Sequence, residues 1–214
     1  MSSKEQILTR VRKALAGPAC EDVPYEQAIG RGYLTEHGGL GIEEQIELLA
    51  ENLADYRAIV HRCTAQELPV KIATLLAGHG SRSTLVPSGL DPSWMSAATV
   101  EQVLDEASST PHELNQVHSV VTACAVAVAE TGTIVLDGGP DQGRRRITLM
   151  PDHHVCVVRV PDQVVASVPQ ALVRLDPARP QTWISGPSAT SDIELDRVEG
   201  VHGPRTLEVV LMAG

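Results

Sequence analysis

The chain has 214 residues, of which 43% are hydrophobic, and its 17 Lys and Arg against 27 Asp and Glu give a net charge of −10 at pH 7. This composition supports one sizeable domain with an apolar core, and it argues against a disordered chain or a nucleic-acid-binding protein. No uncharged apolar stretch is long enough to span a membrane, and Met1 to Gln6 lack the apolar segment of a signal peptide. We therefore predict a cytoplasmic protein with no membrane span.

Aromatic residues and cysteines narrow the chemistry further. The chain contains two Trp, three Tyr and no Phe, which argues against stacking a base, a flavin or a nicotinamide ring. The cysteines stand far apart and include no Cys-x-x-Cys pair that would begin a metal or iron–sulfur site; they are Cys20, Cys63, Cys124 and Cys156. We predict reduced, mostly buried thiols, and no metal or cofactor bound by this chain.

The amino-terminal segment predicts a short amphipathic helix that ends at Gly17-Pro18. Its apolar residues recur at helical spacing: Ile7, Leu8, Val11, Ala14 and Leu15. Residues 17–41 are rich in Gly and Pro and show little periodicity, which is typical of an irregular connection. We therefore divide the chain into a helix and irregular arm at 1–41 and a main domain at 42–214.

The main domain begins with a strand–helix–strand unit behind a first helix. Apolar spacing from Ile42 to Tyr56 predicts the first helix, and residues 58–60 predict a short strand. A capping-box pattern at 64–67 then opens a helix that runs to about Gly78, and a strand follows at 84–86. Strand, helix and strand with short links is the unit from which parallel sheets are built.

The rest of the main domain continues the alternation of helices and strands. The remaining predicted elements are a helix near 100–107, an apolar run at 120–129 that ends in a turn, strands at 134–136 and 155–160, a helix over 164–175, and strands at 183–185 and 207–211. Since strands and helices alternate through most of the length, the sequence predicts an α/β fold with a mostly parallel sheet flanked by helices.

Three loops next to predicted strands concentrate the polar residues, and the first is the turn from Glu130 to Thr133. A carboxylate at such a turn can act as a base, a nucleophile or an acceptor for a substrate hydroxyl. Two threonine hydroxyls stand beside it, and we assign Thr131, Gly132 and Thr133 to the candidate substrate-binding residues. The alternative is structural, because a Glu at this place can accept backbone N–H groups and fix the turn. The sequence leaves both interpretations of Glu130 open.

The second loop contains Arg144 to Arg146 and the pair His153-His154. Arginine binds carboxylate and phosphate with paired donors, so we single out Arg146 as a candidate oxyanion ligand; the alternative is a solvated basic surface. We also assign His153, which follows Pro151, to the candidate binding residues. Adjacent histidines on a strand face opposite sides, so the pair is not expected to ligate one metal ion.

The third loop follows the strand at 183–185 and offers small residues and hydroxyls. Its candidate binding residues are Ser185, Gly186, Ser188, Thr190 and Asp192. Such a turn suits a small carboxylate or a phosphorylated ligand, although its spacing matches neither Gly-x-Gly-x-x-Gly nor a P-loop. His202 comes shortly afterwards, and a catalytic role and a structural role are equally open to it.

The order of these motifs carries a family resemblance. Glu130-Thr131-Gly132-Thr133, Pro151-x-His153, Ser185-Gly186-Pro187-Ser188 with Asp192-Ile193-Glu194, and His202-Gly203-Pro204 resemble the lactate-utilisation protein C family with its LUD domain, over roughly residues 42–212. The resemblance implies a fold similar to the sugar-phosphate isomerase and coenzyme A transferase superfamily. It also implies a role in bacterial oxidation of L-lactate to pyruvate with partner proteins, at least one of which carries iron–sulfur clusters.

Three hypotheses about function follow. The first is an accessory, non-cluster subunit of such a lactate-oxidising system, with Glu130 and His202 as candidate catalytic residues. The second is a stand-alone enzyme in the style of the superfamily, in which Glu130 acts on a sugar phosphate or a coenzyme A thioester. The third is a binding or regulatory module whose loop at 17–41 docks a partner.

Overall fold

The computed structural model describes residues 3–16, 30, 32, 34–36, 38–106, 108–190, 198–199 and 203–214. The chain divides into two compact units, Met1–Leu34 and Thr35–Gly214. In the first unit the predicted amphipathic helix is confirmed as α1 (Ser3–Leu15), and all of its described side chains are exposed. Cys20 and most of the Gly/Pro-rich stretch lie outside the described residues. Within the described residues, no helix combines the length and the apolar character that are needed to cross a membrane.

The second unit alternates helices with strands, as the sequence predicts for an α/β fold. The helices described in it are α2 (Ile42–Asp55), α3 (Leu68–Gly78), α4 (Pro111–Leu114) and α5 (Val168–Arg174). The strands described in it are β1 (Ile59–Thr64), β2 (Ser83–Val86), β3 (Glu101–Leu104), β4 (Ser119–Thr122), β5 (Val126–Val128), β6 (Thr133–Leu136), β7 (His153–Val160), β8 (Val164–Val165), β9 (Thr182–Ile184), β10 (Ala189–Thr190), β11 (Val198–Glu199) and β12 (Thr206–Ala213).

Among the described residues, six strands form a parallel sheet in the order β1-β12-β7-β4-β2-β3, which we call the large sheet. Four more form the small sheet in the order β8-β5-β6-β9, where β5 and β9 run antiparallel to β6. A further pair, β10 and β11, is antiparallel. The predicted mostly parallel sheet flanked by helices is therefore confirmed.

The large sheet is covered on both faces, which explains its uninterrupted apolar strands. Along β7, Val155 and Val157 pack with the buried face of α3, whereas Cys156 and Val158 pack with α2 and the small sheet. The predicted capping-box contacts form in the turn that leads into α3: the backbone N–H of Thr64 donates to Glu67 Oε2 over 2.9 Å, and the N–H of Glu67 donates to Thr64 Oγ1 over 3.4 Å. The helix itself begins one residue later, with Glu67 at its N-cap. Packing against α2, α3 and the small sheet fixes the ends of the strands to which the polar loops are attached.

The predicted helix at 100–107 is wrong, because β3 pairs in parallel with β2 at the edge of the large sheet. Glu101, Gln102 and Leu104 of this strand are exposed, and Val103 is half-buried. Four residues with one partly buried side chain cannot distinguish a helical period from a strand period.

The apolar run at 120–129 contains two strands that belong to different sheets, β4 and β5. Between them the backbone N–H of Ala123 donates to the carbonyl of Asp141, and that of Ala125 donates to Val135. The run is buried throughout except for the half-buried Ala125, so its composition gives no sign of the passage from one sheet to the other.

The predicted helix over 164–175 is correct only in its second half. Val164 and Val165 form β8, which pairs with β5, and α5 begins at Val168. Apolar β-branched residues at this spacing satisfy both patterns, and the place in the small sheet next to β5 decides the outcome.

Candidate functional site

A cleft of about 240 Å³ lies where the small sheet meets the amino ends of β7 and β12, and we call it the inter-sheet cleft. Its walls come from β9 and the loop after it, from the 3₁₀ turn Arg145–Thr148, and from the register pair His154 and Leu207. Open parallel sheets commonly bind ligands at the carboxyl ends of their strands. In this chain the cleft lies instead at the amino ends of β7 and β12, next to the small sheet.

A chain of hydroxyls ties the turn before β6 to the loop that forms one wall of the cleft. Thr131 Oγ1 donates to Thr133 Oγ1 over 2.8 Å, and Thr133 Oγ1 lies 2.7 Å from Ser185 Oγ. Gly186 and Ser188 follow Ser185 in the same wall, and the backbone N–H of Ser188 donates to the carbonyl of Pro204 over 2.8 Å. The structure therefore brings together the predicted residues Thr131, Thr133, Ser185, Gly186 and Ser188.

Arg145 is the cationic side chain that the described residues contribute to the cleft. Arg144 is bound to Asp105, and Arg146 donates to the backbone carbonyl of Glu106 over 2.7 Å. Arg145 is exposed, and within the described part of the chain no carboxylate forms an ion pair with it. The predicted Arg146 is therefore not among the residues that line the cleft, whereas its neighbour Arg145 is.

His154 lines the cleft from β7 and is fully buried. Its Nε2 lies 2.8 Å from Thr122 Oγ1 on the neighbouring strand. Burial, and secondarily the charge of His153, lower the pKa of His154 to about 3. The imidazole is therefore neutral at neutral pH, so it contributes a hydrogen-bonding group to the cleft and no charge.

His153 points to the opposite face of the large sheet, away from the cleft, as the alternation along a strand requires. Its Nδ1 lies 2.8 Å from Ser119 Oγ, which is 2.5 Å from Ser81 Oγ. Its Nε2 lies 3.1 Å from Glu208 Oε1, and Glu208 Oε2 lies 2.5 Å from His61 Nε2. We call these side chains, which follow one another across β1, β12, β7 and β4 to the turn before β2, the histidine row. The predicted binding residue His153 is thus built into this row.

Glu130 occupies a different place from the cleft. Its Oε1 accepts the backbone N–H of Val168 over 2.9 Å at the start of α5. With Thr131, Asn52, Asp55 and Tyr56 it lines a separate open cavity of about 450 Å³. Gly132 lies at the same turn, where an added Cβ would come within 2.7 Å of the backbone of Asn52. The structure therefore gives Glu130 the contacts of a residue that fixes a turn and a helix start.

Replacing Glu130 by Ala should lower the free energy of unfolding by about 1 kcal/mol, because the first N–H of α5 loses its acceptor. Replacing it by Gln keeps an acceptor oxygen and should cost less than half of that loss. Urea denaturation of both variants measures the difference. Equal losses in the two variants would contradict the capping role.

Three further candidate residues lie wholly or partly outside the described residues. Asp192 and His202 lie outside the described residues, and Thr190 is described only through the backbone of β10. Arg145, Thr148 and His154 are cleft residues that the sequence did not single out. The alternation of β7 shows that His153 and His154 face opposite sides, but only the position of the small sheet shows which of them faces the cleft.

The described residues include no group of three His, Cys, Asp or Glu side chains arranged to hold a metal ion. Cys63, Cys124 and Cys156 are buried free thiols. Burial raises the pKa of the Cys63 thiol, and a hydrogen bond to Cys156 together with burial raises the pKa of Cys124. The thiols of Cys63 and Cys124 are therefore protonated at neutral pH.

Comparison with known proteins gives a family match over most of the chain. The model of the LUD domain matches residues 46–212. A protein from Deinococcus radiodurans named "Lactate utilization protein C" is 39% identical over 98% of this chain and 95% of its own length. One of the same name from Exiguobacterium is 25% identical over 99% of this chain and 96% of its own. A crystal structure of a DUF162 family protein from Deinococcus radiodurans has a TM-score of 0.68 at 38% identity, covering 82% of this chain and 99% of that one.

Proposed function

The chain belongs to the LUD-domain family, and we propose that it is a non-cluster subunit of a bacterial L-lactate utilisation system that binds a small carboxylate in the inter-sheet cleft. Relatives named for lactate utilisation align with nearly the whole chain, which supports the role. The observation that carries the choice of site is Arg145, an exposed guanidinium in the cleft wall with no ion-paired carboxylate among the described residues.

The size and polarity of the cleft suit a ligand such as L-lactate or pyruvate. A cleft of about 240 Å³ lies below the usual range for drug-sized ligands, about 300 to 1,000 Å³, so it favours a molecule of few heavy atoms. Arg145 offers paired donors to a carboxylate. The neutral imidazole of His154 and the hydroxyls of Thr148 and Ser188 provide polar neighbours for the rest of such a ligand.

Oxidation of L-lactate to pyruvate releases two electrons and two protons, and we propose that the electrons pass to iron–sulfur clusters on partner proteins. The scattered cysteines support this division of labour, since a cluster needs several thiolates at one place. Glu130 has no part in the proposal, because its carboxylate caps α5 and lines the other cavity.

Binding of L-lactate to the purified chain, measured by titration calorimetry, tests the site. Arg145→Gln should raise the dissociation constant by about 10-fold to 100-fold, because a hydrogen bond to a charged group is lost. Arg174→Gln, an exposed arginine on α5 outside the cleft, is the matched control and should leave the constant unchanged. Inorganic phosphate serves as the competing probe; tighter binding of phosphate than of L-lactate would contradict the carboxylate assignment.

The role in the cell is tested separately by deletion and by recovery of partners. A strain that lacks the chain should grow poorly on L-lactate as sole carbon source, and the wild-type chain should restore growth while Arg145→Gln should not. The tagged chain, purified from its own host, should recover proteins with iron–sulfur absorption. Normal growth of the deletion strain together with recovery of no such protein would refute the role.

A further inference from the structure

The histidine row lies directly behind the inter-sheet cleft, on the other face of the same two strands. His154 and Leu207 are register partners on β7 and β12, and both line the cleft. The neighbouring residues along those strands, His153 and Glu208, bond to each other on the far face over 3.1 Å. The contact behind the cleft thus joins the two backbone segments that carry the cleft residues.

Glu208 holds an imidazole on each side of it. His61 on β1 lies 2.5 Å from Oε2, and His153 on β7 lies 3.1 Å from Oε1, so one carboxylate connects three adjacent strands. Burial raises the pKa of Glu208, but the hydrogen bonds from His153 and His61 more than offset this and hold the pKa below its usual value. Glu208 is therefore ionised at neutral pH.

An ionised carboxylate can only accept hydrogen bonds, so each Nε2 that faces Glu208 must carry a hydrogen. When the imidazole of His153 carries this single ring hydrogen, its Nδ1 atom accepts the hydroxyl of Ser119, and Ser119 in turn accepts the hydroxyl of Ser81. Every donor in the row meets an acceptor in this arrangement, and the stacked ring of His79, 4.1 Å from that of His153, closes it on one side.

We propose that Glu208 is a positioning residue of the inter-sheet cleft: it fixes both His61 and His153 as Nε2–H tautomers, and through His153 it fixes the place of β7 relative to β12. His154 and Leu207 then hold their positions in the wall because the strands that carry them cannot shift past each other. The geometric part of this inference stands without any ligand, and only its effect on affinity rests on the proposed function.

The tautomers are the direct test. In ¹⁵N NMR spectra of the ring nitrogens at pH 7.5, assigned with His61→Gln and His153→Gln variants, both rings should show protonated Nε2. In Glu208→Gln the amide presents one acceptor oxygen and one NH₂ donor, so one of the two rings must turn to the Nδ1–H tautomer. Ser83→Ala is the matched control, because it removes a hydroxyl that contacts His118 at the same edge of the sheet and leaves the row intact.

The position of the cleft wall has its own readout in Trp183, which lines the cleft and is 38% exposed, whereas Trp94 is 8% exposed. Acrylamide quenching of tryptophan fluorescence therefore reports mainly on Trp183 and the cleft wall. Quenching should rise in Glu208→Gln, where the wall loses its support, and stay unchanged in Ser83→Ala. His61→Ala, at the half-exposed end of the row, is the milder variant and should raise quenching less, because Glu208 keeps its bond to His153.

The outcomes separate the two proposals. An Nδ1–H tautomer of His153 in the wild-type chain would overturn the positioning role, as would a Glu208→Gln variant with unchanged tautomers and unchanged quenching. If Glu208→Gln does not fold, the tautomer of His153 in the wild-type chain and the quenching of His61→Ala test the positioning role instead. Affinity for L-lactate should fall by about twofold to thirtyfold in Glu208→Gln. If the wild-type chain binds no L-lactate, the proposed function fails, while the tautomer and quenching results still test the positioning role.

Discussion

Lowering the pH from 7.5 to 5 should remove about 2 kcal/mol from the free energy of unfolding through His154 alone. The pKa of His154 is lowered to about 3 in the folded chain, against 6.5 for an ordinary histidine, because the imidazole is buried between the sheets. Between these two values the unfolded chain binds one more proton than the folded chain. The contribution of His154 to the free energy of unfolding is therefore fully present above about pH 6.5 and is lost as the pH falls below that value.

Urea denaturation at pH 7.5, 6 and 5 measures this loss, and His154→Gln identifies its source. The variant should be less stable at pH 7.5, but its stability should fall less steeply with pH, since no buried imidazole remains at this position to take up a proton. His112→Gln, in an exposed position on α4, is the control and should keep the wild-type slope. The series ends at pH 5 because Glu208, whose pKa is lowered from 4.5, adds its own loss of stability at lower pH. Equal slopes in the wild type and in His154→Gln would contradict the buried neutral state.

Replacing Gly186 by Ala should cost about 3 kcal/mol of folding free energy, and this is the largest effect that we expect from a single methyl group. Gly186 has φ +84, a backbone conformation that residues with a side chain rarely adopt. An added Cβ would also overlap the carbonyl oxygen of Tyr56 and lie 2.9 Å from the Tyr56 Cβ. The strain comes from the backbone conformation of Gly186, and the overlap comes from the close approach of the cleft loop to the end of α2.

Gly80→Ala separates these two contributions. Gly80 has a similar φ of +73, but nothing lies within 4 Å of an added Cβ. This control should therefore lose only the conformational part, about 1 kcal/mol. Thermal and urea denaturation of both variants give the difference, and equal losses would show that the contact with Tyr56 is easily relieved. Since Gly186 lines the cleft, the variant should also bind L-lactate more weakly, provided that it still folds.

The sequence predicts the elements that have strong local signals. The capping box at Thr64 and Glu67, the apolar spacing of α2 and the β-branched run of β7 specify their structures within a few residues, and the folded chain keeps them. The short strands β3 and β8 are different, because two to four residues carry too little periodicity for a decision. They become extended because each pairs with a strand that precedes it in the chain, β3 with β2 and β8 with β5.

The candidate site shows the same division. The sequence identified the loop at 185–188 and the threonines beside Glu130 as polar residues next to strands, and the structure joins them through hydroxyl contacts. It could not show that Glu130 caps a helix 38 residues later, because that contact depends on the pairing of β5 with β8 in the small sheet. It singled out Arg146, whereas the structure places Arg145 in the cleft wall, because the 3₁₀ turn gives the two side chains different directions.

By itself, the sequence determined an acidic α/β chain with few aromatic residues, scattered cysteines and polar loops beside its strands, because composition and local periodicity act over a few residues. The tertiary structure decided which of two adjacent histidines enters the cleft and which enters the row behind it. Alternation along β7 places the two rings on opposite faces, and the packing of the small sheet on one face and α3 on the other gives each ring its surroundings. Burial against one layer keeps His154 neutral, and hydrogen bonds across four strands hold His153.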